Sequence, residues 1–91
     1  MKFTIDQVKE AVEVNFNADY IEEFKEYIVC DFDDEVAPRV RIVLVNDETK
    51  YRFIQGLHLQ NLESETDLDF EIGQALNECF RSGWNNIWIH Q

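Results

Sequence analysis

Ninety-one residues, 45% of them hydrophobic and 13% aromatic, make one small domain, 1–91, with a modest core, and exclude a disordered acidic tail. A formal charge of −11, from 19 acids against 8 Lys and Arg, repels nucleic acid and anionic membrane and attracts basic surfaces at low ionic strength. No stretch approaches the roughly 18 apolar residues of a membrane span, and residues 1–3 run into a helix start without an apolar signal region, which predicts a cytoplasmic protein.

Thr4 is placed to cap a helix over 5–14, with Gln7 closing a capping box and Phe3 stapling onto Val8. Ile5, Val8, Ala11 and Val12 form its apolar side, and Asp6, Lys9, Glu10 and Glu13 share the other. Asn17, with Phe16 ready to staple onto Ile21, predicts a second helix over 17–28 whose core face is Tyr20, Ile21, Phe24, Tyr27 and Ile28. Its outer face would carry Asp19, Glu22, Glu23 and Glu26, and like charges at those spacings cost roughly 0.2–0.5 kcal/mol per pair. Such a face calls for a packing or functional reason. Asp31, Asp33, Asp34 and Glu35 follow before Pro38, so 19–35 holds eight acids and one base, a net of −7.

Residues 39–45 are rich in β-branched side chains and 51–57 alternate, which predicts a hairpin with its turn at 46–49 and Val45 opposite Lys50. That register puts Val40, Ile42 and Leu44 beside Tyr51 and Phe53 on the core face, and Arg39, Arg41, Lys50 and Arg52 on the other. These bases are expected to pair with the protein's own acids. A third helix is predicted to start near Asp67 with Thr66 as its cap, to bury Ile72, Ala75, Leu76, Cys79 and Phe80, and to end at Gly83. A strand over 85–90 then turns Ile87 and Ile89 one way and Trp88 the other. The predicted fold is α+β in the order ααββαβ, with helices packed on a small, mainly antiparallel three-stranded sheet.

Between 63 and 71 every second residue is acidic: Glu63, Glu65, Asp67, Asp69 and Glu71. Fully extended, the run would line one side with carboxylates at intervals of ~6.6–6.8 Å, in imitation of a nucleic-acid backbone. A helix starting near Asp67 leaves only Glu63 and Glu65 extended and puts the others near a helix N-terminus, where the dipole favours acids. The candidate partner-binding residues are therefore Asp19, Glu22, Glu23, Glu26, Asp31, Asp33, Asp34 and Glu35 first, with the 63–71 run as a second stripe.

The chemistry of an enzyme is missing. His58 and His90 have no metal-ligand spacing and read as strand residues, while Cys30 and Cys79 read as buried free thiols in apolar helical surroundings. Asp31, Asp33 and Glu35 begin like a calcium loop, but Val36 and Ile42 stand where its glycine and bidentate glutamate belong. With no phosphate-binding glycine loop, no GxSxG and no Cys/His pair at catalytic spacing, neither catalysis nor a cofactor is expected.

An acid-rich α+β chain of this length, with its negative charge laid out in stripes, resembles the small DNA-mimic proteins that phages encode, the anti-restriction protein Arn among them. Residues 80–85, Phe-Arg-Ser-Gly-Trp-Asn, are also similar to a helix ending in a type II-A anti-CRISPR protein, although no acid follows Glu78 here. The resemblance implies an inhibitor acting inside an infected bacterium on a basic DNA-binding protein of the host: a restriction, CRISPR or nucleoid protein; such proteins typically form dimers, so a homodimer is one expectation. It implies no direct binding of nucleic acid and no membrane partner. Two other readings stay open: an immunity protein that plugs a basic toxin nuclease, and an adaptor subunit whose acids keep it soluble.

Overall fold

Thr4 starts the first helix as its sequence predicts. Its hydroxyl accepts from the Gln7 backbone N–H at 3.2 Å, and the Gln7 side chain accepts from the Thr4 N–H at 2.9 Å. The structure, a computed structural model, describes residues 2–46 and 54–91. Along these the chain forms α1 (Ile5–Glu13), β1 (Tyr20–Glu23), β2 (Tyr27–Asp31), β3 (Arg39–Val45), β4 (Leu57–Leu59), α2 (Glu65–Ser82) and β5 (Asn86–His90). The strands make one five-stranded mixed sheet in the order β1-β2-β3-β5-β4. The expected order ααββαβ, with three mainly antiparallel strands, is therefore replaced by two helices on one larger sheet.

The first departure lies at 17–28, where the predicted helix is an antiparallel hairpin of β1 and β2. Tyr20, Ile21, Tyr27 and Ile28 fit a helical stripe, but 27–31 also has the two-residue period of a strand: Ile28 and Cys30 are buried, and Tyr27, Val29 and Asp31 are half-buried. The strand removes the clash that a helix would have imposed. Neighbouring Glu22 and Glu23 point to opposite faces of β1, and Glu23 reaches Lys9 of α1 at 3.6 Å. Cys30 thus lies on a strand and not in a helix.

The second departure concerns β3. Its predicted bounds and its inward residues Val40, Ile42 and Leu44 hold. Its neighbours, however, are β2 on one side, antiparallel, and β5 on the other, parallel. Both faces of 42–45 are buried, as a central strand requires, so no edge remains there for a hairpin partner from 51–57. Leu57–Leu59 pairs instead with β5, in parallel, at the far edge of the sheet. The predicted turn, the Val45–Lys50 pair and the side chains of Lys50, Tyr51, Arg52 and Phe53 lie outside the described residues.

Helix α2 begins two residues earlier than expected. Ser64, not Thr66, is its cap and accepts from the Asp67 N–H at 3.1 Å. Gly83 ends the helix as predicted, in the left-handed region at φ 81°, with its N–H donating to the Cys79 carbonyl at 2.8 Å. The two helices cover one face of the sheet, where Val8, Val12, Ile28, Ile42, Leu68, Ile72, Leu76, Ile87 and Ile89 form the main core. Asn15 ties the helices together by donating to the carbonyls of Ala11 and Asp69 at 2.7 and 2.8 Å. Trp88 points to the opposite face, as predicted, where it packs with Val43, Val45 and Tyr27. No described helix is long and apolar enough to cross a membrane.

Candidate functional site

The acids of 19–35 are divided between the two faces of the sheet and the loop after β2. Asp31 pairs with Arg39 directly across the β2–β3 register, at 2.7 and 3.4 Å, and this partner raises the Arg39 pKa further above its ordinary value. Arg39 thus meets one of the chain's own acids, as the sequence suggests. Asp34 is used locally, because one of its carboxylate oxygens accepts from the Val36 and Ala37 N–H groups at 3.0 and 2.7 Å. Asp33 and Glu35 remain exposed in the same loop, and Glu26 is exposed in the β1–β2 turn. Asp19, Glu22 and Glu23 lie exposed along or beside β1, the edge of the sheet. Acids on an edge strand also discourage edge-to-edge pairing.

The 63–71 run sits at the other end of α2 from the 33–35 loop. Val36 lies beside Gly83 at the C-terminus of the helix, whereas Ser64 caps its N-terminus. At 1.5 Å per residue the 18 residues of α2 separate these ends by about 27 Å, most of the molecule's 32 Å length. The 33–35 part of the first stripe therefore lies far from the start of the second. Within the run, Glu65 already belongs to α2 and accepts a hydrogen bond from the Gln7 side chain of α1, and Asp67 accepts from the Glu63 N–H at 3.0 Å. Glu63 is exposed, and Asp69 and Glu71 are half-buried.

Helix α1 supplies what the sequence reading left out. A groove of about 280 Å³ between the helices is lined by Glu10, Glu13, Glu65 and Asp69, together with Gln7 and Val14. A second groove, of about 370 Å³, lies between α1 and β1 and is bordered by Glu13, Asp19, Tyr20 and Lys9. Glu13 borders both. An acidic belt thus runs from Asp19 on the sheet edge, over the end of α1, to the first turns of α2. Lys9, held by Glu23 across half-exposed side chains, is the base within it.

The acids of this belt do not all have the same excuse. Glu65 stands where the α2 dipole favours a carboxylate by about 0.3–1 kcal/mol. Glu10 and Glu13 stand in the second half of a nine-residue helix that has no base in its last turn, where the dipole opposes them by a similar amount. That mismatch was the signal available in the sequence.

No family model matches this chain, and no similar protein was found among curated sequences or solved structures.

Among the described residues no group of three or more His, Cys, Asp or Glu is placed to hold a metal ion. His58 and His90 lie on neighbouring strands and share a hydrogen bond, Nδ1 to Nε2, at 2.6 Å, a contact the sequence reading missed. Burial pushes the Cys30 thiol up to about 12 and the Cys79 thiol up to about 11, so neither is a nucleophile near neutrality. Both are expected to resist iodoacetamide in the native protein at mildly alkaline pH and to react once it is unfolded, which mass spectrometry of the adducts checks.

Near the end of α2, hydrogen bonds from Arg81 and Ser82 hold the Glu78 carboxyl below its ordinary range. A depressed folded-state pKa stabilises above the unfolded value and is lost as pH falls through the folded one. Glu78→Gln should therefore lower the melting temperature slightly near neutrality, with the difference from wild type vanishing in strong acid.

Proposed function

We propose that this chain is a DNA-mimic inhibitor whose acidic belt occupies the phosphate-binding surface of a basic DNA-binding protein. Glu10, Glu13, Asp19, Glu23, Glu65 and Asp69 stand in for phosphates, and the grooves beside α1 receive Lys and Arg side chains of the partner. The observation that carries this reading is the pair of carboxylates at the end of α1, retained against the helix dipole and joining the edge-strand acids to those of α2. The inhibitor acts by competition, without chemistry or cofactor, in the cytoplasm of an infected bacterium, on a restriction, CRISPR or nucleoid protein.

Electrostatic attraction of this kind speeds encounter and weakens as salt screens it. The test is displacement of labelled duplex DNA from a panel of purified bacterial nucleoid proteins, restriction enzymes and CRISPR effectors at several salt concentrations. The proposal expects at least one of them to release DNA as this protein is added, with less release at higher salt. Binding to a member of the panel that leaves its DNA in place contradicts the proposal. Inhibition confined to the catalysis of one nuclease would favour the immunity-protein reading.

A further inference from the structure

The sheet has an open edge at β1. This strand pairs with β2 on one side and, among the described residues, has no strand on the other. The Phe24 N–H donates to the Tyr27 carbonyl at 2.9 Å, and hydrogen-bonded and non-bonded residue pairs alternate along an antiparallel ladder. Tyr20 and Glu22 therefore turn their backbone groups to β2, and Ile21 and Glu23 turn theirs outward. Each of these two residues offers one N–H and one C=O to a further strand.

The side chains beside the edge set what that strand carries. Ile21 and Glu23 stand opposite Cys30 and Ile28 of the main core and point toward the helices, while Tyr20 and Glu22 point to the other face. On the helix side the groove of about 370 Å³ between α1 and β1 is lined by Phe16, Ala18 and Ile21 as well as by Glu13 and Asp19. Lys9, which also lines it, is held by Glu23 at 3.6 Å. A Lys or Arg side chain entering the groove lays its methylenes on the apolar residues and brings its charge to the carboxylates. On the other face Glu22 and Tyr20, the latter 60% exposed, flank the same edge. A second copy of this chain does not fit, because two β1 edges would bring Glu22 and Glu23 against their like at a formal charge of −11 per chain.

We propose that β1 takes up an extended, basic segment of a partner protein as an added strand, held by backbone hydrogen bonds at Ile21 and Glu23 and by Lys or Arg side chains in the groove beside α1. The acids along the edge then serve two ends: they repel other copies of the chain and admit a strand of opposite charge. The edge adjoins the acidic belt, but the proposal does not rest on the DNA-mimic reading, which needs no backbone pairing.

The probe is a blocked peptide of alternating Lys and Val, about eight residues long, titrated into the whole protein at low salt and followed by amide hydrogen exchange in NMR spectra. Saturable binding is expected, with exchange at the Ile21 and Glu23 N–H groups slowed about tenfold or more and that at Tyr20 and Glu22, already bonded to β2, little changed. The fully N-methylated peptide keeps the charge but has no N–H to donate, and should bind roughly tenfold more weakly or worse. A peptide of alternating Glu and Val should not bind. Glu23→Pro removes an outward N–H at an edge position where proline is tolerated, and should weaken binding severalfold beyond Glu23→Gln, which removes the charge alone. Equal binding of the N-methylated peptide, unchanged exchange at Ile21 and Glu23 under saturation, or no saturable binding at all overturns the proposal. DNA displacement plays no part in this readout, so the added strand and the DNA mimic stand or fall separately.

Discussion

Replacing Trp88 with alanine is expected to destabilise the protein by about 3–5 kcal/mol, the cost of emptying a large buried aromatic site. Trp88 is 2% exposed. It supports Val43, Val45 and Tyr27 on the face of the sheet away from the helices, and its indole N–H donates to the Gln55 carbonyl at 3.1 Å. The backbone at Gly56 lies against the same ring. A Cβ there would stand 2.4 Å from the indole nitrogen and 2.8 Å from the Asn86 carbonyl, at a φ of 144° that side chains rarely adopt. Domains are stable by roughly 5–15 kcal/mol in all, so the loss removes a large part of the total. Chemical denaturation of Trp88→Ala checks it, with Trp84→Ala as the comparison. Trp84 is 37% exposed just beyond α2, and its removal is expected to cost far less. A similar loss for both variants would place the second core elsewhere.

The second large effect concerns the belt. Neutralising Glu10, Glu13, Glu65 and Asp69 together, as Gln, Gln, Gln and Asn, takes the formal charge from −11 to −7. These four residues line one groove. Exposed ion pairs are each worth about 0.2–1 kcal/mol, so losing four, about 0.8–4 kcal/mol, should weaken a partner by roughly fourfold to several hundredfold at low salt and flatten the salt dependence of binding. Isothermal titration at two ionic strengths reads both. Folding should not suffer, because the changes at Glu10 and Glu13 relieve unfavourable dipole contacts while that at Glu65 gives up a favourable one.

How far the sequence could be read follows from how local each signal was. The Thr4 cap, the Gly83 stop and the alternation in β5 are contained within a few residues, and each appears where it was expected. At 17–28 the spacing of Tyr20, Ile21, Phe24, Tyr27 and Ile28 fitted a helix, and Asn17 offered a cap. The deciding contact, between β2 and β3, is made with residues beyond the segment. The repulsion among Asp19, Glu22, Glu23 and Glu26 argues against a helix there. The run 57–59 could not be placed locally, since its partner Ile87–Ile89 lies on the far side of α2 and pairs in parallel. The same holds for the site. The acids themselves were visible, but their grouping depended on α1 and α2 packing side by side, which brings Glu10 and Glu13 to Glu65 and Asp69. The β2–β3 register and the loop after β2 in turn set Asp31 and Asp34 apart, one bound to Arg39 and the other to its own loop.

Location rather than total charge is what the belt requires, and two variants of equal charge separate them. One carries Glu10→Gln, Glu13→Gln, Glu65→Gln and Asp69→Asn; the other carries Glu26→Gln, Asp33→Asn, Glu35→Gln and Glu63→Gln at exposed sites off the belt. Both have a formal charge of −7. The measurement is displacement of duplex DNA from a DNA-binding protein that the wild type releases. The belt variant should lose most of its displacing power while the other keeps nearly all of it. Equal loss in the two would contradict an acidic belt that takes the place of DNA.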